Sequence, residues 1–248
     1  DVWGPAHGFD ESALRLKGRR QLGTESKILV PYFIECLSSA SQIGVDFLFP
    51  GPDRLSRVWL APSVAAADPK LAERLARLPR HDALLAASIR NAPVVLGIAG
   101  LETGGISETA PMTPSLQKNP DRLTALRRYA GALRSLPEID AAAKGHGLLS
   151  ADTEAGVVRR VPMVALIGAS PALPLSLETL RVAAGVPAFA VHGGAGGVEA
   201  VGIGDLGVPT QADGRLWVHY TPHDPNRFIS AAHILNGEAG PAQLERKL

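Results

Sequence analysis

The order of apolar and periodic segments predicts an α/β fold. We expect a three-layer sandwich with a central mixed, largely parallel sheet, and an α+β arrangement is the alternative. Nearly continuous apolar runs at residues 43–49 and 94–99 are typical of buried strands. Between them, residues 69–78 and 81–91 have the apolar spacing of helices. Strands that alternate with helices favour a sheet covered by helices.

The remaining elements of the first 120 residues follow from the same patterns. Residues 6–10 predict a short strand and residues 27–41 an amphipathic helix. The Pro-Gly-Pro sequence at 50–52 predicts a turn, and the segment from there to Asp68 is interpreted as irregular. Three prolines and several glycines between 100 and 120 predict a long loop.

The stretch 136–164 reads LPEIDAAAKGHGLLSADTEAGVVRRVPMV and combines a helix, a turn and two strands. Pro137 stands at a first-turn position of the helix, and Gly145 and Gly147 end it before a strand. Residues 152–156 have turn chemistry, because Asp bonds its own backbone and Gly tolerates positive φ. The valines that follow predict the second strand.

The last third of the chain has shorter elements. A helix is predicted at 173–184, followed by strands near 188–191, 199–203 and 216–220 with Gly-rich turns between them. Strands joined by tight turns are antiparallel, so the predicted sheet is mixed.

Composition limits the class of protein. A net charge of +1 over 248 residues excludes the concentrated basic face of a nucleic-acid binder. The single cysteine, Cys36, cannot form an intramolecular disulfide, which excludes a disulfide-dense secreted scaffold. No uninterrupted apolar window is long enough for a membrane helix, and no signal peptide is recognised. We expect residues 1–248 to form a single domain.

One group of residues invites an enzymatic interpretation. His192, Gly193 and Gly194 are similar to the oxyanion-hole glycines of some esterases, but no Gly-x-Ser-x-Gly elbow accompanies them. Ser170 is followed by Pro171 where a tight elbow needs other residues. The run GGAGG at 193–197 lacks the lysine and spacing of a phosphate-binding loop, and it is interpreted as a hairpin turn. The sequence therefore predicts no catalytic residues.

Metal and acid–base sites are also not predicted. His219 and His223 are four residues apart, but Pro222 between them prevents a shared helix face, and no acidic or cysteine companion is in register. The pairs Asp10/Glu11 and Asp152/Glu154 are interpreted as parts of an extended segment and a turn. We predict neither a metal ion nor a cofactor.

Asp46 is the least expected residue, because it lies within the apolar run 43–49. A carboxylate buried in such a strand must be ion-paired or hydrogen-bonded. Anchoring by an arginine or by backbone amides is one interpretation, and contact with a ligand is the other.

Ligands of α/β sheets bind outside the carboxyl ends of the strands. The first three predicted strands end near Asp10, Phe49 and Ala99, and the loop after the third carries Glu102. Asp46 is expected close to the same edge. Arg160 is placed on a neighbouring strand, where it would be the partner of Asp46. We therefore predict a polar site formed by Asp10, Asp46, Glu102 and Arg160 for a small polar or cationic ligand.

Beyond these patterns, several sequence blocks carry a resemblance to a known family. They are the stretch 136–164 with its Leu-Pro-Glu, Gly-His and Gly-Val-x-Arg-Arg-x-Pro segments, IGVDFLF at 43–49, HDALLAA at 81–87, VVLG at 94–97 and ADGRLWVHY at 212–220. In that order they resemble the second type of CHASE domain, a sensory module of cyclases and histidine kinases. Where that family usually has Trp-Pro after Gly18, this chain has Arg19 and Arg20.

The resemblance implies an extracytoplasmic sensor, not an enzyme in itself. It implies the periplasmic portion of an inner-membrane receptor, with its own transmembrane helices and an attached adenylate or guanylate cyclase, diguanylate cyclase or kinase as output. The chain is then expected to be a soluble segment excised from this membrane-anchored protein. A homodimer and an unknown small-molecule or ionic ligand are expected as partners. The alternative is a small secreted α/β hydrolase that uses the His192–Gly194 loop.

Overall fold

A computed structural model describes residues 42–53, 57–103, 112–118 and 123–239. Two compact units are distinguished. Within the described residues, one contains 52–53, 57–92 and 224–239, and the other contains 42–51, 93–103, 112–118 and 123–223. The predicted strand at 6–10 and helix at 27–41 lie outside the described residues. Helices and mixed sheets together confirm the predicted α/β class.

The described part of the chain forms helices, short strands and one 3-10 turn. In chain order they are β1 (Ile43–Val45), α1 (Arg57–Val64), α2 (Pro69–Ala76), α3 (His81–Arg90), β2 (Val94–Leu101), β3 (Ser115–Lys118), β4 (Arg128–Tyr129), β5 (Gly131–Leu133), α4 (Pro137–Asp140), β6 (Gly145–Leu148), β7 (Arg160–Pro162), β8 (Ala165–Ile167), β9 (Ser170–Ala172), α5 (Leu175–Ala183), β10 (Phe189–Gly194), β11 (Gly197–Ile203), β12 (Leu206–Pro209), β13 (Arg215–Trp217), a 3-10 turn (Pro225–Arg227) and α6 (Ala231–Leu235).

The sheet that positions the candidate site is built around β2. Strands β1 and β6 both pair with β2 in parallel, and β5 pairs with it antiparallel, so this sheet is mixed and largely parallel. Val94, Val95, Leu96 and Ile98 are fully buried, as expected for the apolar run that forms β2. Helix α5 packs against β6, β2 and β1.

A second four-stranded sheet has the order β12-β11-β10-β3. Gly194 pairs with Gly197 at the end of an antiparallel hairpin, which confirms that GGAGG is a hairpin turn. Phe189, Val191 and Val201 on these strands are buried in one hydrophobic cluster with residues of the α5 region. Strand β3 lies within the segment predicted as a long loop. It pairs in parallel with β10, which is distant in the sequence, and a local pattern cannot show such a pairing.

Among the described residues, the compact unit that contains α1, α2 and α3 has three elements that the sequence did not predict: α1, the 3-10 turn and α6. Helix α1 occupies part of the segment interpreted as irregular, and Pro62 lies inside it. Proline removes a backbone donor and disfavours a helix interior, so the pattern argued against this helix. Helices α2 and α3 confirm the predicted segments, and the Asp68 side chain caps α2 by accepting a hydrogen bond from the amide of Leu71.

The acidic turn before β7 is tighter than the sequence indicated. Glu154 and Val157 form an isolated bridge around two residues of positive φ, Ala155 at 52° and Gly156 at 79°. Two consecutive residues of positive φ are typical of the type I′ turn, which joins antiparallel segments. The strand expected from Val157 therefore starts only at Arg160, where β7 pairs with β13.

A buried ion pair fixes α4 to the adjoining strands. Arg134 donates two hydrogen bonds to Oδ2 of Asp140, at 3.1 and 2.8 Å, and Nε2 of His146 lies 3.1 Å from Oδ1. Burial alone would raise the pKa of Asp140, but the hydrogen bonds of His146 and Arg134 and their charges hold that pKa below its usual value. The Asp140 carboxylate therefore stays ionised inside the protein.

We expect Asp140→Asn to change how stability depends on pH. The pKa of Asp140 is lower in the folded than in the unfolded state. Ionised Asp140 therefore stabilises the folded protein at pH values above its unfolded-state pKa of about 4. This stabilisation is lost as the pH falls through the folded-state pKa. Urea unfolding between pH 7 and pH 3 should show wild type and Asp140→Asn converging at low pH. The exposed Asp205→Asn should stay within about 0.5 kcal/mol of wild type throughout. A constant difference between wild type and Asp140→Asn over the whole range would contradict this prediction.

Candidate functional site

Two carboxylates meet at the carboxyl edge of the β2 sheet. Glu102 follows β2 directly and Asp152 follows β6 after three residues. Because β2 and β6 are parallel and in register at Ile98 and Leu148, both chains leave the sheet at the same edge. Arg127 joins them: its Nη2 donates a hydrogen bond to Glu102 and lies 3.6 Å from Oδ1 of Asp152.

The guanidinium of Arg127 has a firm support. It lies over the ring of Tyr129, 5.2 Å from the ring centroid, and Tyr129 itself is buried. The ring packs on Gly100, where a Cβ atom would come within 2.4 Å of it, so only glycine fits. The amide of Gly100 donates a 2.8 Å hydrogen bond to the Ser150 hydroxyl, which ties the β6 loop to the same place.

A second group of charges lies on the ribbon of β7 and β13. Nε of Arg160 donates a 2.7 Å hydrogen bond to Glu154, and its Nη1 is 3.9 Å from Asp213. Arg160 also lies over the ring of Trp217, 5.3 Å from the centroid, because the two residues are direct partners in the ladder. These side chains are partly buried except for Trp217, which is about half exposed.

Asp213 and Arg215 extend the second group, and the charge of Asp152 from the first group acts on Arg215. Nε of Arg215 donates a 2.7 Å hydrogen bond to Asp213. Burial would raise the pKa of Asp213, but the hydrogen bonds of Arg215 and the charges of Arg215 and Arg160 lower it. The pKa of Arg215 is raised, first by Asp213 and also by the charges of Asp152 and Glu154.

These seven residues are called here the arginine–carboxylate network. It consists of three arginines and four carboxylates: Arg127, Arg160, Arg215, Glu102, Asp152, Glu154 and Asp213. Arranged in this way, it can hold small polar groups by charge-assisted hydrogen bonds and by ion pairing.

The predicted site residues are only partly brought together. Glu102 and Arg160 belong to the network, and Asp10 lies outside the described residues. Asp46 is exposed, contrary to the expectation of a buried carboxylate, because β1 ends at Val45. Val45, the last residue of β1, pairs with Leu96, and β2 continues for five more residues. Strand β1 therefore ends about 16 Å short of the end of β2. Arg160 pairs with Glu154 and Asp213, and not with Asp46 as predicted.

Sequence reasoning missed five members of the network. Asp152 and Glu154 were interpreted as turn residues only, and three others were not singled out as site residues: Arg127, Asp213 and Arg215. The signal that could have found Asp213 and Arg215 is the Asp-Gly-Arg segment of the family resemblance at 213–215. No comparable signal marks Arg127.

The residues of the hydrolase alternative occupy ordinary strand positions. His192 is half-buried within β10, and Gly193 and Gly194 follow it in the hairpin. Ser170 is exposed at the start of β9, beside the tight connection to β8.

Within residues 42–53, 57–103, 112–118 and 123–239, no group of three or more His, Cys, Asp or Glu side chains is arranged to hold a metal ion. In the same ranges, every helix is too short or too polar to cross a membrane.

The fold and the network define a mixed α/β domain whose candidate site is a set of ion pairs at a sheet edge. The CHASE2 domain model matches residues 32–248, so the chain belongs to the CHASE2 family. CHASE2 domains are extracellular sensory domains without catalytic activity of their own, which supports a sensing role. No curated protein and no solved structure matches the chain significantly.

Proposed function

We propose that the chain is the extracytoplasmic, periplasmic ligand-sensing domain of a receptor in the inner membrane. Transmembrane helices anchor it, and an attached adenylate or guanylate cyclase, diguanylate cyclase or kinase is the regulated output. The observation that carries the proposal is the arginine–carboxylate network, which gathers charges from β2, β6, β7 and β13 at one place in a member of a sensory family. A small polar ligand bound there would change the relative positions of these strands.

The position of β13 in the chain supports this role. Trp217 ends β13, and Asp224 starts the C-terminal part of the other compact unit only seven residues later. A shift of the β7–β13 ribbon would act on the chain that follows β13. We further propose a homodimer, because cyclase and kinase outputs respond to changes between subunits. A monomeric full-length receptor in light scattering would contradict the dimer.

The test is the output of the full-length receptor in isolated membranes. We expect Arg160→Met to alter the cyclase or kinase activity, because it releases both Glu154 and Asp213 from their shared cation. Arg77→Met is the matched control, since Arg77 forms a fully exposed ion pair with Glu73 in α2 and should leave the output unchanged.

Equal outputs of wild type and both variants, at equal receptor levels, would contradict the proposal. The gene offers an independent check. Membrane helices encoded on both sides of the chain support a receptor, whereas a reading frame with a signal peptide and no membrane helix contradicts it.

A further inference from the structure

We propose that the arginine–carboxylate network recognises a free amino acid, with Arg127 holding the ligand carboxylate in place of Glu102. The inference rests on the proposed sensing function and names the ligand class of the same site. It follows from four features of the network: unused donors on Arg127, the exposure of Glu102, the rigid support of the guanidinium, and the balance of charges around it.

Arg127 uses little of its hydrogen-bonding capacity. A guanidinium has five N–H donors in one plane. Within the described part of the chain, Nη2 of Arg127 donates a hydrogen bond to Glu102, a side-chain hydrogen bond with Tyr129 raises the pKa of the guanidinium, and Nε is buried without a partner. Asp152, at 3.6 Å, is too far for a hydrogen bond and acts through its charge. Arg127 therefore has donors left for a ligand carboxylate.

Glu102 can leave at small cost. Its side chain is 65% exposed, and the side chain of Arg127 is 38% exposed. Ion pairs of such exposure contribute little to stability, because water solvates both partners when they separate. A ligand carboxylate that reaches the guanidinium can take the position of Glu102 and leave that side chain in solvent.

The guanidinium is held in place before any ligand arrives. The Tyr129 ring beneath it is buried and packs on Gly100, so the plane of the guanidinium has a fixed support. A preorganised arginine loses little conformational freedom on binding, and its planar fork matches a carboxylate. Arg160 and Arg215 are already hydrogen-bonded to Glu154 and Asp213, at 2.7 Å each, and serve as the frame of the site.

The surrounding charges favour a ligand that carries both signs. A simple anion would gain from Arg127 but would lie among carboxylates, with Asp152 and the displaced Glu102 nearest. Asp152, which lies 3.6 Å from the guanidinium, is suited to an ammonium group next to the bound carboxylate. A metal ion would meet three guanidinium groups, and the described residues hold no metal-ligating cluster. An α-amino acid carries the carboxylate and the ammonium group at the required close spacing.

Binding of the standard amino acids to the whole chain, measured by calorimetry, tests the inference. Propionate and ethylamine serve as the two halves of alanine. We expect at least one amino acid to bind and neither half to bind at the same concentration. Arg127→Lys should weaken binding about tenfold or more, because an ammonium group cannot hold a carboxylate through two parallel bonds. Glu73→Gln, which alters an exposed Glu–Arg pair elsewhere, should leave the affinity unchanged.

Three results would overturn the inference. Propionate binding as tightly as the amino acid would show a simple anion site. Amino-acid binding unchanged in both Arg127→Lys and Arg127→Met would show a site elsewhere, provided that urea unfolding shows both variants folded. Binding of none of the amino acids would reject the ligand class. Each of these results leaves the receptor output of Arg160→Met as the separate test of the sensing function.

Discussion

Gly147→Ala is expected to lower the free energy of unfolding by about 3 kcal/mol, because the new methyl group would overlap the backbone of α5. A Cβ atom on Gly147 would lie 2.3 Å from Cα of Leu175 and 2.7 Å from its amide nitrogen. Backbone atoms cannot rotate away, so the start of the helix must move off the sheet. The amide of Leu148, next in β6, donates a 2.8 Å hydrogen bond to the carbonyl of Leu173, and this bond would be strained as well.

Urea unfolding at neutral pH measures the effect, and the chain offers a matched control. Gly207 also lies in a strand, β12, but a Cβ atom there would have no neighbour within 4 Å. Gly207→Ala should therefore stay within about 0.5 kcal/mol of wild type. Equal stabilities of the two variants would show that the close approach of β6 and α5 does not contribute to stability.

Arg181→Met is expected to cost about 3–5 kcal/mol, because it leaves a buried carboxylate without its cation. Glu178 is 1% exposed, and Arg181 binds both of its carboxylate oxygens, at 2.8 and 2.7 Å. The hydroxyl of Thr113 donates a third hydrogen bond, at 2.7 Å, which cannot compensate the charge. The guanidinium also donates to the carbonyl of Val186, just beyond the helix.

Two further variants separate the buried charge from lost packing. Arg77→Met removes the cation from an exposed ion pair with Glu73 and should cost no more than about 0.5 kcal/mol. The double variant Glu178→Leu/Arg181→Met removes both charges and should recover much of the stability that Arg181→Met alone loses. Thermal and urea unfolding measure all three. A double variant no more stable than Arg181→Met would show that the isolated charge is not the cause.

Elements with a strong local pattern could be predicted from the sequence. Helices α2 and α3 have apolar residues at helical spacing, and β2 is a continuous apolar run whose burial needs no knowledge of its neighbours. The hairpin between β10 and β11 follows from its glycines, since few other residues accept the φ of 129° at Gly197. The family resemblance could also be recognised from the sequence, and the CHASE2 match confirms it.

Elements that depend on a distant partner could not be predicted. Strand β3 is four residues long and polar at three of them, and it is a strand only because β10 lies beside it. Helix α1 forms although Pro62 argues locally against it. Asp46 was expected to be buried because it lies in an apolar run, but β1 ends one residue before it.

The sequence by itself determined the α/β class, the sensory family and most of the helices and strands, because hydrophobic periodicity and turn chemistry act between near neighbours. Only the tertiary structure decided which charges meet. Arg127 reaches Glu102 and Asp152 because β2 and β6 are parallel and in register, although these residues are 25 positions away in either direction. Arg160 and Trp217 are 57 positions apart and become neighbours through the pairing of β7 with β13. An ion pair depends on a distance of a few ångströms, and sequence separation does not determine that distance.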